Sequence, residues 1–249
     1  MLLLGKTAVI TGTNKGIGRV IMELFAENGA NIIACARRET PDFLKTIGSL
    51  REKFKVSIIP VYFDLEDSTE IKAAVRTIIG LKLGGIDILI NNAGYASGAY
   101  FQMTPIEDLE RMMKINFTSQ IQFTQGISRY MARFKSGSII NMGSTAGLFG
   151  DEGMLSYGSS KAALIFATKT MATELGQYNI RVNAIAPSVT KTEMYDQMEE
   201  AARNKLIDSS ALKRAAEPRE VANVALFLSS DLSTFVNGQI IRVDGGITG

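Results

Sequence analysis

The chain has 249 residues, 46% of them hydrophobic, with 27 Lys and Arg against 25 Asp and Glu. That is ample for one large core, and it lacks the charge excess that a nucleic-acid or anionic membrane partner would call for. The absence of histidine excludes Ser-His-Asp and Cys-His catalysis and any zinc site that needs imidazole, and the single cysteine excludes an intrachain disulfide and fits a reducing cytoplasm.

Strand-like and helical segments alternate along the chain, with no repeat, linker or low-complexity tract between them. The opening MLLLGKTAVITG is too short for a signal-peptide core, and no stretch approaches a membrane span. The first predicted strand, Thr7–Thr11, runs into Gly12-Thr13-Asn14-Lys15-Gly16-Ile17-Gly18. Ile17, Val20, Ile21, Leu24 and Phe25 then repeat at helical spacing. Glycines between a strand and a helix let the backbone approach a pyrophosphate, which the helix N-terminus stabilises. The spacing GxxxGxG departs from GxGxxG, so on the motif alone a plain strand–helix turn stays open.

The second strand, Asn31–Ala36, is followed by Arg37 and Arg38. An NAD site carries an acid at this strand end for the ribose hydroxyls. Here Ala36 and Arg37 stand there, with Lys15 in the glycine-rich loop. Two cations and no carboxylate point to the 2′-phosphate of NADP(H); the alternative is a pair of solvated surface cations. The third strand, Val56–Phe63, ends on Asp64-Leu65, where Asp64 could equally be a helix cap or turn residue. The fourth, Ile86–Asn91, continues into Asn92-Ala93-Gly94. Thr104-Pro105-Ile106-Glu107 reads as a capping box with proline at the first helical position. It opens a long helix carrying Leu109, Met112, Met113 and Asn116. Asparagine is a mediocre helix former, so Asn116 is either held there or merely tolerated.

The fifth strand, Gly137–Met142, leads to Ser144 just past its end, where open α/β sheets bind ligands. Thirteen residues on, in YGSSK, Tyr157 and Lys161 share one helix face. An ammonium beside a phenol lowers the tyrosine pKa, so the pair could exchange a proton near neutral pH. A sixth strand, Ile180–Ala186, precedes Pro187-Ser188-Val189-Thr190-Lys191-Thr192. The polar segment 188–212 breaks the rhythm and reads as an active-site lid or as two ordinary surface helices. Pro218 opens a helix with Val221, Val224, Ala225 and Leu228 on one face, and Gln239–Val243 is the seventh strand. The strands are mostly continuous apolar runs, as expected where helices cover both sheet faces. The fold expected is α/β: a single-domain, doubly wound, Rossmann-type parallel sheet of about seven strands flanked by helices.

Taken together, these motifs resemble the classical short-chain dehydrogenase/reductase family from about Leu4 to Gly246. The resemblance implies strand order 3-2-1-4-5-6-7 and a catalytic set of Asn116, Ser144, Tyr157 and Lys161. In it, Tyr157 is the general acid/base. Lys161 lowers its pKa and holds the nicotinamide ribose, Ser144 hydrogen-bonds the substrate oxygen, and Asn116 binds a water that links Lys161 to solvent. It implies an NADP(H) site formed by Gly12, Thr13, Asn14, Lys15, Gly16, Ile17, Gly18, Arg37, Asp64, Leu65, Asn92, Ala93, Gly94, Tyr157, Lys161, Pro187, Thr190 and Thr192. The Asp64 carboxylate would accept from the adenine amino group. Where the family usually has Pro-Gly and a β-branched aliphatic, this chain has Ser188 and Thr190, which changes the polarity beside the nicotinamide.

Within the family the chain most resembles 3-oxoacyl-acyl-carrier-protein reductases. The expected pocket segments, Tyr95–Phe101, Ala146–Met154 and the 188–212 lid, are mostly small or apolar, with Leu148, Phe149 and Met154, and would suit an acyl chain. An acidic carrier protein would need basic docking residues: Lys135 is retained, but a second typically basic position holds Tyr178. Members acting on sugars, steroids and small ketones share the same motifs, and non-catalytic members usually lose the tyrosine or lysine that this chain keeps. The resemblance further implies a homotetramer, with the apolar Gly238–Gly246 edge covered by a second copy.

Overall fold

The computed structural model describes residues 1–247. Among these residues seven strands form one parallel sheet in the order β3-β2-β1-β4-β5-β6-β7, as expected. The strands are β1 (Thr7–Thr11), β2 (Asn31–Ala36), β3 (Ile58–Tyr62), β4 (Ile88–Asn91), β5 (Gly137–Met142), β6 (Ile180–Pro187) and β7 (Ile240–Val243).

Alternation within each strand builds two cores, one on each face. Ala8, Ile10, Ile32, Ala34, Ile88, Ile90 and Ile140 meet α1 (Gly16–Glu27), α2 (Pro41–Phe54) and α9 (Pro218–Ser229). Val9, Ile33, Cys35, Leu89, Ile139 and Val182 meet α3 (Ser68–Gly80), α5 (Ser119–Phe134) and α6 (Leu155–Leu175). Apolar side chains at both parities explain the continuous apolar runs. Cys35 is part of this core, and burial pushes its thiol pKa up, so it serves as a small hydrophobe.

Three strands begin later than their apolar runs. Ile86 is buried, but the next carboxylate, Asp87, accepts the Thr7 N–H at 2.8 Å, and the ladder starts only at Ile88. Gln239 N–H donates to the Asn183 side chain at 2.9 Å, so β7 starts at Ile240. Ser57 N–H donates to Asn31 Oδ1 at 3.0 Å ahead of β3. At the other end β3 stops one residue short of its prediction, at Tyr62, and β6 runs one residue past its own, to Pro187.

The capping box expected at Thr104 does not form. A 3₁₀ turn over Phe101–Met103 precedes it, and the Thr104 hydroxyl donates back to the Ala99 and Tyr100 carbonyls at 3.1 Å. Pro105 is therefore the cap of α4 (Ile106–Met113). The long helix expected after it is interrupted: Lys114–Thr118 form a π turn between α4 and α5, and Asn116 lies inside it. Pro218 does open α9, whose Glu220 carboxylate accepts the Glu217 N–H at 2.8 Å. The 188–212 segment folds as two short helices, α7 (Glu193–Asp196) and α8 (Glu200–Ser209). Among the described residues no helix is long and apolar enough to cross a membrane.

Candidate active site

Every motif expected to bear chemistry follows the C-terminal end of a strand. Because the sheet is parallel, these ends share one edge, and the strand order reverses direction between β1 and β4, the usual crevice for a ligand.

On one side of the crevice the β1–α1 turn is pressed against the segment after β4. A Cβ on Gly12 would lie 2.8 Å from Asn92 Nδ2, and one on Gly18 only 2.2 Å from the Gly12 carbonyl oxygen. Gly12 also has φ +72°, the left-handed region that glycine adopts freely. Asn92 Nδ2 donates to the Thr11 carbonyl at 3.0 Å, and the Asn92 and Ala93 N–H groups both donate to Thr11 Oγ1 at 3.0 Å. Gln120 Nε2 donates to the Ala93 carbonyl at 2.6 Å. Thr13 is buried and donates through backbone and hydroxyl to the Cys35 carbonyl, and Asn14 Oδ1 accepts from Thr40 at 3.3 Å. Helix α1 begins at Gly16 with no side-chain cap from Lys15 and no acid in its first turn. Its leading N–H groups and positive dipole end are left for an anion, which fits a pyrophosphate.

Around this turn lie the other expected cofactor residues. Lys15 and Arg37 are exposed. The Glu66 carboxyl is held below its usual range by Arg111, with a smaller contribution from Arg37. Asp64 Oδ1 accepts the Glu66 N–H at 2.9 Å, making a turn, and the cap of α3 is Asp67. Leu65 gives its carbonyl to the Ser119 hydroxyl. Across the crevice, a Cβ on Gly16 would lie 3.6 Å from Thr192 Cγ2, so the start of the 188–212 segment faces the glycine-rich turn. Pro187 accepts from Thr145 Oγ1 at 3.4 Å, and Thr190 donates to the Ser188 carbonyl at 3.0 Å. The Ser188 hydroxyl oxygen is buried without a hydrogen-bond partner.

Ser144, Tyr157 and Lys161 come together as expected. Gly147 and Gly158 allow it: a Cβ on Gly147 would meet the Ala162 nitrogen at 2.8 Å, and one on Gly158 the Ala146 oxygen at 2.5 Å. The turn after β5 can thus lie directly on α6. Ser144 is buried, and its Oγ accepts the Ala146 N–H at 3.2 Å, which leaves its own proton free to donate. Lys161 is 3% exposed; its Nζ donates to the Met142 carbonyl at 2.8 Å and lies 5.7 Å from the centre of the Tyr157 ring.

The electrostatics differ from the expectation. Burial pushes the Tyr157 phenol above its ordinary pKa, and its hydrogen bond with Ser144 pulls it only part of the way back. The Lys161 ammonium is committed to a carbonyl and sits over the ring face. Its own pKa is brought down by burial to about 8. Desolvation therefore drives the two pKa values apart, the phenol upward and the ammonium downward, because burial disfavours the charged form of each.

Asn116 is fully buried in the π turn. Its Nδ2 donates to the Tyr95 carbonyl at 2.7 Å and to Ser160 Oγ at 3.0 Å, while Oδ1 accepts the Tyr95 N–H at 2.8 Å. π turns recur at functional sites because the inserted residue re-aims its neighbours. Several participants escaped the sequence reading: Ser160, Gln120, and a buried ladder in which Asn91 donates to Thr124 and Asn141, and Asn141 to Thr168. For Ser160 a signal existed, a hydroxyl three residues after Tyr157 on the same helix.

The expected pocket segments also meet. Ala99 N–H donates to the Gly153 carbonyl at 3.0 Å, and Lys205 on α8 pairs with Glu152 at 3.2 Å. Tyr95 lies under Arg111 at 4.7 Å, and Phe149 under Arg242 at 4.9 Å. A separate cavity of about 250 Å³ is lined by Ser188, Leu212, Arg214, Arg242 and Asp244, none of them in the proton-transfer group. Lys135 caps α5 in a left-handed conformation and is exposed; its carbonyl accepts from Asn179, next to Tyr178. The six residues of β5, roughly 20 Å of strand, separate it from Ser144.

Comparison with known proteins gives a consistent result. The family profile described as enoyl-(acyl carrier protein) reductase matches residues 12–248. The chain is 38% identical to a 3-oxoacyl-[acyl-carrier-protein] reductase of Thermotoga maritima, over 99% of each sequence. Among solved structures it resembles an NAD⁺-bound xylitol dehydrogenase, with TM-score 0.91 and 30% identity over 99% of this chain and 100% of that one. It equally resembles a short-chain dehydrogenase from Burkholderia cenocepacia in complex with NADP, with TM-score 0.91 and 27% identity over the whole of both chains.

Proposed function

The chain belongs to the short-chain dehydrogenase/reductase family and is a nicotinamide-dependent oxidoreductase; from that premise we propose that it uses NADPH to reduce a 3-oxoacyl thioester to the secondary alcohol. The observation that carries the reading is the meeting of Ser144, Tyr157 and Lys161 at the sheet edge that also carries an uncapped helix N-terminus, in a chain so similar along its length to a 3-oxoacyl-[acyl-carrier-protein] reductase.

The nicotinamide group supplies the hydride when bound. The residues do the rest. Tyr157 holds the proton destined for the carbonyl oxygen; its raised pKa keeps it protonated, as a general acid must be. Ser144, whose hydroxyl hydrogen-bonds the Tyr157 phenol, directs its proton to the same oxygen when substrate lies between the two. Lys161 keeps a positive charge near the phenol, so charge developing on Tyr157 is met in a site of low dielectric. Gly12, Thr13, Asn14, Lys15, Gly16, Ile17 and Gly18 would hold the pyrophosphate end, Asp64 and Leu65 the adenine, and Arg37 with Lys15 the 2′-phosphate. Asn92, Ala93, Gly94, Pro187, Thr190 and Thr192 would line the nicotinamide half.

The preference for NADPH rests on Arg37 and Lys15 standing exposed where an acid would serve NAD. An acyl carrier protein would dock at Lys135, the 188–212 segment would act as the lid of a single domain, and the enzyme would work in the cytoplasm as a homotetramer. For the tetramer the supporting features are the thinly covered strand β7 and the exposed Phe166 on α6.

A second reading, reduction of a sugar or small ketone, is favoured by one observation: Tyr178, beside Lys135, is not a cation. The two are separated by measuring kcat/KM for acetoacetyl thioesters, ketosugars and simple diketones with NADPH and with NADH. The proposal expects the thioester with NADPH to lead. A ketosugar or diketone leading instead replaces it with the second reading.

A further inference from the structure

We propose that Ser160 is a positioning residue for the proton-transfer pair, acting through Asn116; the proposal rests on the reductase reading above. Ser160 is fully buried. Its hydroxyl donates to the Tyr157 carbonyl at 2.7 Å and accepts from Asn116 Nδ2 at 3.0 Å. A serine has one hydroxyl proton, and this one is spent on the backbone of Tyr157, so Ser160 offers only lone pairs to Asn116. It can satisfy the amide nitrogen and not the amide oxygen.

That choice has a consequence on the other side of Asn116. A Cβ on Gly94 would lie 3.2 Å from Asn116 Oδ1 and 3.5 Å from Lys161 Nζ. The amide oxygen and the catalytic ammonium thus face the same point on the segment after β4. While Ser160 and Tyr95 together hold the amide, its oxygen stays on that side, and the first turn of α6 is tied to the π turn and to Tyr95 by one continuous set of bonds. Without the Ser160 hydroxyl, a buried amide N–H loses its partner in a site closed to water, and rotation of Asn116 or drift of α6 relieves it. Either change alters the spacing of Tyr157, Lys161 and Gly94.

The test uses the full-length enzyme with NADPH and its best ketone. Ser160→Ala is expected to lower kcat about tenfold, short of the hundredfold that a 1 Å misplacement can cost. KM for NADPH should stay within about twofold, because Ser160 makes no cofactor contact in this reading. The basic limb of the kcat–pH profile should move, since it reports the coupled Tyr157–Lys161 pair. In an Asn116→Ala background, Ser160→Ala should change kcat by less than about twofold, because the path through Asn116 is already gone. A lower melting temperature with kcat and the pH limb unchanged overturns the proposal and leaves Ser160 a helix fastener. An equal loss in both backgrounds also overturns it, because Ser160 would then act independently of Asn116. If Asn116→Ala does not fold, the pH profile of Ser160→Ala decides alone. Failure of the reductase reading would look different: Tyr157→Phe would keep wild-type turnover, whatever the Ser160 variants do.

Discussion

Replacing Lys161 with methionine is expected to stabilise the cofactor-free protein at neutral pH and to destabilise it above pH 10. Methionine matches the length of the lysine stem and suits a helix. Burial lowers the Lys161 pKa from its ordinary 10.5 to about 8. Below pH 8 both folded and unfolded chains hold the proton, and the folded state carries a constant penalty for a desolvated charge. Between pH 8 and 10.5 the unfolded chain binds a proton that the folded chain does not, so wild-type stability rises with pH across that window. At about 1.4 kcal/mol per pH unit the penalty is roughly 3 kcal/mol. Against it stands the hydrogen bond from Nζ to the Met142 carbonyl, whose loss leaves a buried acceptor unpaired at a cost of about 1–2 kcal/mol. Lys161→Met should then gain about 1–2 kcal/mol at pH 7. It should fall behind wild type by a similar amount at pH 10.5, where the penalty has vanished and only the lost bond remains. For a chain of this size that is a melting shift of about 2–4 °C per kcal/mol, upward at pH 7 and downward at pH 10.5. Differential scanning calorimetry of both proteins at one protein concentration, from pH 7 to 10.5, measures it. Other groups titrate in the same range but are shared, so the difference between the curves reports Lys161 together with the phenol coupled to it, Tyr157. Parallel curves would refute the reasoning, for they would mean that Lys161 carries no desolvated charge.

Two further outcomes follow from the residues outside the proton-transfer group. Arg37→Asp should shrink or invert a preference for NADPH over NADH worth about 1.5–3 kcal/mol, or roughly ten- to a hundredfold. Steady-state kcat/KM with each cofactor checks it, and a wild-type enzyme that works as well with NADH overturns the reading of the β2 end. Lys135→Glu should raise KM for a carrier-protein-bound substrate, hardly affect a small thioester, and lose its effect as salt screens the charges. Kinetics on both substrates at two ionic strengths decide it, and equal effects on the two would count for the small-ketone reading.

What the sequence disclosed, and what it withheld, has a physical pattern. Buried parallel strands leave continuous apolar runs, so Thr7–Thr11 and Asn31–Ala36 were legible to the residue. The starts of β3, β4 and β7 were not, because a side chain such as Asn31, Asp87 or Asn183 can take a backbone N–H without altering the apolar run. The strand order came from family resemblance, since periodicity carries no information on neighbours. Asn116 stood out as a misfit in a helical pattern, but a π turn adds one residue without a periodicity of its own, and the interruption could not be seen. Tyr157 and Lys161 were placed together by their four-residue spacing. The direction of the Tyr157 shift is opposite to the expectation, because spacing reveals the neighbouring charge and not the depth of burial, and burial prevails. Ser160 is hard to read from sequence for a related reason: its contact is with Asn116, 44 residues away.

The central claim, that Tyr157 delivers the proton to a carbonyl oxygen held by Ser144 while Lys161 supports it, is tested most directly by Tyr157→Phe. The substitution removes one oxygen and leaves the ring. Single-turnover oxidation of NADPH in the presence of the best ketone gives the chemical step, and calorimetric titration of NADPH gives binding. The account predicts a loss of about 10²–10⁴-fold in the chemical step, with cofactor affinity nearly unchanged. A variant that binds NADPH normally and keeps more than about a tenth of the wild-type rate, well outside that general-acid range, would contradict it.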